Sequence, residues 1–253
     1  MNFNNPTTSL EWTVFIAKKY ANLFIDGMWT TIYIAVVGTI IGFILGFVAG
    51  LIQDATINKG DNIIKKIIMR ILKIVFTIYV EIFRDTPMIV QAMVVYFGIK
   101  TSLGIMMEPI EAGILVTLLN TGAYMAETVR AGIKSIDIGQ REGAYGMGMS
   151  QMKTMFYIVL PQAFKNIIPE MANTFLTNLK MTSVLNVIGV SELFLIAKTA
   201  GGTYYKYYES YLVIAAIYFV ICFVCNRLFL LMEKKLAGKS DYALAVEFAD
   251  DKQ

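Results

Sequence analysis

The chain offers few side chains that could do covalent chemistry. Cys222 and Cys225 stand as CFVC, the spacing of a redox dithiol, but such a pair needs an accessible thiolate. They lie inside a long apolar run, where they read as small hydrophobes. None of the 253 residues is a histidine, which excludes imidazole acid–base catalysis and histidine-held metals. No GxxxxGK[ST] occurs, so the chain has no P-loop to cradle a nucleotide. No serine, cysteine or carboxylate cluster has the pattern of a nucleophile or a metal site. The sequence points to no catalytic residue and no metal ligand.

What remains is polar chemistry placed in apolar surroundings. The stretch IYVEIFRDTPMIVQAMVVYFGI carries Glu81, Arg84 and Asp85 before Thr86-Pro87. Each charge costs about 2.5–3.5 kcal/mol at the centre of a membrane helix, so these must sit near an end or face protein or water. Glu81 and Arg84 have the i,i+3 spacing of a helical ion pair. Thr86 reads as an N-cap and Pro87 as a first helical residue, so the helix is expected to break there and restart. A restarted helix turns free N–H groups and a positive dipole end inward, an arrangement that suits an anionic substrate group as well as a plain kink. A second stretch, MANTFLTNLKMTSVLNVIG, holds Asn173, Thr174, Thr177, Asn178, Lys180, Thr182, Ser183 and Asn186. That many polar groups need water or protein partners, and the candidate path-lining residues are Thr86, Gln91, Asn120, Tyr124, Asn173, Thr174 and Asn178.

These groups must be positioned by membrane-spanning helices. Hydrophobic residues make up 57% of the chain, against about 45–50% in soluble domains. Met28–Ile52 runs 25 residues without a charge, longer than the ~30 Å of bilayer hydrocarbon at about 1.5 Å per residue. Five spans are expected, near 28–52, 76–99, 110–132, 166–190 and 210–231. Lysines and arginines in the segments between them alternate 2, 5, 1, 5, 2, 5 along the chain. The positive-inside rule then places the N-terminus outside and the C-terminus in the cytoplasm. Gly38, Gly42, Gly46 and Gly50 form an i+4 stripe on the first span, a surface for close helix packing that faces either a second subunit or another span of the same chain. Residues 8–24 read as an interfacial helix on the outer surface, opened by a Thr8–Glu11 capping box. The expected organisation is an extracytoplasmic segment over 1–25, a membrane domain over 26–232 with a cytoplasmic loop over 134–162, and a polar cytoplasmic tail over 233–253.

That loop carries a specific pattern. Glu142, Gly143 and Ala144 are followed by Gly148, then nine residues, then Ile158, Leu160 and Pro161. This resembles the EAA loop of importer permeases of the ATP-binding cassette (ABC) class, with Gly143 where that family usually has alanine. Glu142 sits where it would favour a helix N-terminus, Gly148 where a reversal is needed, Ser150 as the next cap, and Pro161 where the following helix would end or kink. FRDTPMIVQ (83–91), LNTGAYMAETVRAGI (119–133) and LKMTSVLNVIG (179–189) are similar to stretches of polar amino-acid permeases, the histidine/glutamine/arginine/cystine group. Asp85 stands where that group usually has glycine.

The resemblance implies an all-α integral membrane protein of the type I ABC importer permease fold, multi-pass in the bacterial plasma (inner) membrane. The loop would be the coupling helix docking on a cytoplasmic ABC ATPase. ATP and magnesium would belong to that partner, with no cofactor on this chain. The other implied partners are a second permease subunit, same or homologous, an extracytoplasmic substrate-binding protein, the lipid bilayer and an amino-acid substrate; nucleic acid is not among them. No acid lies between Met171 and Val190, which leans the expected substrate towards a neutral polar amino acid such as glutamine or cystine, unless Glu127 or Glu170 faces the passage. An ion-coupled secondary transporter or channel subunit is the competing reading, although no internal inverted repeat supports it.

Overall fold

The computed structural model describes residues 6–57, 60 and 62–236, so the tail expected over 233–253 lies mostly outside the described residues. The described residues form helices α1 (Ser9–Lys19), α2 (Ala21–Asp54), α3 (Ile63–Asp85), α4 (Met88–Leu103), α5 (Pro109–Lys134), α6 (Ile138–Gly146), α7 (Gln151–Thr154), α8 (Leu160–Met181), α9 (Leu193–Tyr204) and α10 (Tyr207–Leu236). A π-turn, Met155–Val159, joins α7 to α8, and a 3-10 segment, Thr182–Ile188, follows α8.

α2 and α5 form the most extensive helix pair, and the glycine stripe explains why. A Cβ on Gly42 would lie 2.6 Å from Thr121 Cβ, and one on Gly46 would lie 2.5 Å from the Gly122 carbonyl oxygen. Gly38 meets Thr117 and Gly50 meets Val129 in the same way. The stripe therefore packs within the chain, and the alternative of a contact with a second subunit is not needed to explain it. Membrane helices gain little from hydrophobic exclusion when they associate, so such close backbone approach supplies much of the attraction. Tyr79 extends the assembly by donating to the Leu119 carbonyl at 2.7 Å, which ties α3 to α5.

Several boundaries differ from expectation. The Thr8–Glu11 capping box is present, but α1 ends at Lys19 and Ala21 already starts α2, so 8–24 is not one helix. α1 also packs inward. Ile16 is fully buried, and Trp12, Phe15 and Tyr20 cluster around Tyr204 with ring centroids 5.4–6.3 Å apart. The break near Pro87 is present, yet Thr86 is the C-cap of α3 and its hydroxyl donates back to the Ile82 carbonyl at 2.6 Å, while Pro87 is the N-cap of α4. Pro161 neither ends nor caps its helix, which continues through α8. Proline in a helix loses one backbone hydrogen bond and crowds the carbonyl four residues before it. For Pro161 that residue is Tyr157, inside the π-turn, whose wider spacing absorbs the conflict.

After α8 the chain turns at Gly189, with φ +87°. The α8 and α9 segments meet at a 55° bend. Glu192 caps α9 from a fully buried position, accepting from the Phe194 and Leu195 N–H groups at 2.8 Å each and from the Tyr218 hydroxyl at 3.2 Å. By length and composition, α2 and Tyr207–Met232 are each apolar enough to cross a membrane, and the bent α8–α9 pair makes a third. α3 and α5 do not qualify on those grounds alone, although both overlap predicted spans.

Gly46→Leu should separate α2 from α5. Overpacking of this kind costs typically 1–3 kcal/mol, and the variant is expected to melt at lower temperature in detergent than Ile44→Leu, whose side chain faces outward. Equal melting temperatures would show that the helix pair does not depend on this contact.

Candidate functional site

The helix break is held by amides. Interrupting the ladder between α3 and α4 leaves carbonyls without helical partners. Gln91 Nε2 donates to the Phe83 carbonyl, the Thr86 carbonyl and Thr86 Oγ1, all at 2.9 Å. Asn120 Nδ2 reaches across from α5 to Gln91 Oε1 at 3.0 Å and to the Phe83 carbonyl at 3.2 Å. Thr86, Gln91 and Asn120 are therefore brought together as the sequence suggested, but their polar atoms are engaged with one another and with the backbone. They fix the shape of the break.

A cavity of about 530 Å³ opens beside this pin, between α5 and α8, with Arg84, Tyr124, Glu127, Ser135, Asn166 and Glu170 on its wall. Glu127 is clamped by Arg130, Nη2 to Oε1 at 2.5 Å and Nε to Oε2 at 3.1 Å. Arg84 approaches the same carboxylate at 3.8 Å, with its guanidinium 5.9 Å from the Tyr124 ring centroid. Arg84 thus pairs across helices rather than with Glu81 on its own helix. Two arginines compensate Glu127, whereas Glu170 has no ion-pair partner among the described residues.

α8 presents one continuous polar face. Asn166, Glu170, Asn173, Thr177 and Lys180 are all exposed, and their three- and four-residue spacing places them along one side of the helix. Asn173 belongs to this face, and Thr174 lies half-buried at its edge. Asn178 does not belong to it. Its side chain is buried and Nδ2 donates to Thr39 Oγ1 and Thr121 Oγ1, both at 2.8 Å. The path-lining role expected of Asn178 is replaced by one of joining α8 to the α2–α5 pair. Asn166 extends the stripe beyond the polar residues raised from sequence, and helical periodicity was the signal that could have found it.

The loop beneath α5 forms a rooted peg. Asp137, not Glu142, supplies the carboxylate at the start of α6, accepting from the Gly139 N–H at 2.7 Å. Glu142 lies mid-helix and exposed. Ala144 is buried, α6 packs on the π-turn and α7, and Arg141 Nη2 donates to the Ile133 carbonyl at 3.0 Å. The opposite side shows Ile138, Glu142 and Tyr145 at i, i+4 and i+7, all exposed, beside exposed Gly143. Gly148 reverses the chain at φ +78°, where Met149 N–H bonds to the Ala144 carbonyl at 3.0 Å, and Ser150 caps α7, accepting from the Lys153 N–H at 3.4 Å. Leu160 is buried in a cluster with Val129, Ile133 and Ile167, Ile158 is half-buried and Pro161 exposed. Leu160 of the second half of the loop signature is therefore the root of the peg, while Glu142 and Gly143 of the first half are exposed.

A bundle of apolar helices with a polar face and a rooted, exposed peg defines a membrane permease component. Residues 66–238 match the family of binding-protein-dependent transport system inner membrane components. The chain is 37% identical over 158 residues to the arginine transport system permease protein ArtQ of Bacillus subtilis, covering 62% of this chain and 72% of that protein. It is 36% identical over 172 residues to the L-cystine transport system permease protein TcyB of the same species, covering 66% and 72%. It is 32% identical over 167 residues to a putative glutamine transport system permease protein GlnP of Rickettsia bellii, covering 66% and 77%. Among solved structures it superimposes on an amino acid ABC transporter crystallised with histidines, with TM-score 0.78 and 32% identity over 91% of this chain and 100% of that one. The inward-facing MetNI methionine ABC transporter shares the fold at TM-score 0.65 and 20% identity, covering 83% and 96%.

The chain belongs to the binding-protein-dependent transport system inner membrane components. It is a multi-pass inner-membrane permease subunit of an ABC transporter and not a catalyst. This membership displaces the ion-coupled alternative.

Asn178→Leu should lower stability by about 1–2 kcal/mol, the upper range for hydrogen bonds between membrane helices. Combined with Thr39→Val and Thr121→Val the loss should be less than the sum of the separate losses, because the three share one network. Strict additivity in thermal unfolding would refute the joining role.

Proposed function

We propose that the chain forms half of the translocation path of an ATP-driven polar amino-acid importer and transmits the work of a cytoplasmic ATPase through α6. The observation that carries this reading is the exposed polar face Asn166–Glu170–Asn173–Thr177–Lys180 on a helix of a membrane protein. A polar face cannot be left to lipid and must meet water or protein, and a water-filled passage between two permease subunits supplies both. One chain leaves that face open, and a second permease subunit, the same or homologous, would close it. The amino-acid transport named for the arginine, cystine and glutamine relatives supports the substrate class.

In this reading the chain spans the membrane five times, with 1–25 outside, 26–232 forming the permease domain and 233–253 in the cytoplasm. An extracytoplasmic binding protein delivers substrate to the outer face. ATP and magnesium reside on the ATPase, which receives Ile138, Glu142, Gly143 and Tyr145 of the peg. Gly148 and Ser150 set the angle of the peg, and Ile158, Leu160 and Pro161 connect it to α8. Closure of the ATPase pair moves the peg, and the Arg141–Ile133 bond and the Leu160 cluster carry that movement into α5 and α8.

For the substrate, the acid-free stretch Met171–Val190 favours a neutral polar amino acid such as glutamine or cystine. A cationic substrate is the second reading, favoured by Glu170, which lies on the cavity wall without an arginine partner.

Two measurements test this. Replacing Glu142 and Gly148 together with arginine should abolish co-purification of the ATPase and nucleotide-powered uptake, while the permease still melts cooperatively; retained uptake would refute the peg. In reconstituted vesicles glutamine is expected to compete better than arginine. If arginine wins, the neutral assignment fails, and Glu170→Gln should then weaken arginine uptake about tenfold, the effect of one lost charge-assisted contact, and spare glutamine.

A further inference from the structure

A second cavity, of about 330 Å³, lies at the root of the peg. It is bounded by the C-terminal end of α2, the start of α3, α6 and the π-turn; the transport reading uses Arg141 and Tyr145 on its wall but not the space itself. Two of its wall residues hold buried polar atoms without partners, Arg141 Nε and Thr154 Oγ1. Thr154 is 1% exposed, so water outside the cavity does not serve it. An unpartnered arginine N–H and an unpartnered hydroxyl on residues of one cavity wall call for an oxygen acceptor, and a charge-assisted bond makes an anionic one the better match. Among the described residues, Asp54 is the single acid on the wall, beside Lys65 and Arg141. Met69, Met155 and Phe156 supply an apolar side to the same space.

The surroundings select the kind of anion. α2 is long and apolar enough to cross a membrane and ends at Asp54, on the cavity wall, so the cavity sits where a span leaves the hydrocarbon. The adjoining turns of α3 carry Lys65, Lys66, Arg70 and Lys73 beside exposed Ile64, Ile67, Ile68 and Ile71. A basic, isoleucine-faced helix at a membrane boundary is attracted to anionic lipid. Gln151 bridges to Thr56 and closes one side of the cavity. The π-turn on its wall is a type of irregularity frequent at functional sites.

We infer that this cavity binds the phosphodiester headgroup of an anionic phospholipid of the cytoplasmic leaflet, with Arg141 Nε and Thr154 Oγ1 donating to its oxygens and Met69, Met155 and Phe156 receiving its apolar part. The leaflet assignment rests on the orientation proposed above. Because Arg141 also donates to the Ile133 carbonyl, the lipid would stiffen the joint between peg and bundle.

The test uses the full complex with its ATPase in nanodiscs of phosphatidylcholine and phosphatidylglycerol, with bound lipid counted by native mass spectrometry. One phosphatidylglycerol per permease chain should survive delipidation. Thr154→Val keeps the shape of the side chain, and Arg141→Lys keeps its charge and a donor for Ile133. Each should weaken retention about tenfold at an unchanged melting temperature. Equal retention in both variants, or equal retention of phosphatidylcholine, overturns the inference. Displacement by inorganic phosphate or glycerol 3-phosphate also overturns it, by making the site one for a soluble anion. Uptake in the same membranes separates the two readings: transport without lipid retention sinks this inference alone, and retention without transport sinks the importer reading alone.

Discussion

The structure depends on the contact between α2 and α5 at backbone distance. Helices already solvated by lipid tails gain little by excluding them, so their association rests on close van der Waals contact and a few interhelical hydrogen bonds. Four glycines on α2 permit the first, and Asn178 supplies the second by bonding to Thr39 on α2 and Thr121 on α5. Three helices thereby meet at one buried amide. Tyr79 then fastens α3 to α5 through the Leu119 carbonyl. α2, α3 and α8 are thus all referred to α5.

Irregular backbone is confined to places where side chains can satisfy it. Hydrogen-bonding groups freed inside a membrane cost several kcal/mol each if left unpaired. The break between α3 and α4 is answered by the Gln91 and Asn120 amides, and the bend before α9 by the Glu192 carboxylate. Both breaks are therefore shaped and stiff. The charges beside the first break are handled in the same manner, since Glu127 is held between Arg130 of its own helix and Arg84 of α3.

Features set by short-range rules were legible in the sequence. The Thr8–Glu11 box, the interruption near Pro87, the reversal at Gly148 and the Ser150 cap each follow from neighbours within about four residues. α5 begins one residue before the expected third span and ends two residues after it, because Pro109 and a run of good helix formers mark it locally. The glycine stripe announced close packing, but its partner lies some seventy-five to eighty residues away, beyond any local pattern. Asn178 looked like a path residue because composition reports polarity and not direction; its partners are 139 and 57 residues distant. Pro161 misled for a related reason, since nothing in the residues before it distinguishes a π-turn from a helix end.

The same geometry accounts for how a peg at one end could work a passage at the other. α6 is tied by Arg141 to the last turn of α5 and packs on the π-turn, and the chain after it enters α8 through buried Leu160. α5 and α8, with Arg84 of α3, also line the cavity holding Tyr124 and Glu170. A displacement of the peg therefore reaches both walls of that cavity at once. Close-packed interiors transmit such displacement with little compression, and the glycine contacts give α5 no slack against α2. The soft element is the π-turn between α7 and α8, where one extra residue per turn leaves room for the helix to re-register. Motion at α6 would then turn α8 relative to α5 and alter the cavity, while the buried amide of Asn178 holds the pivot.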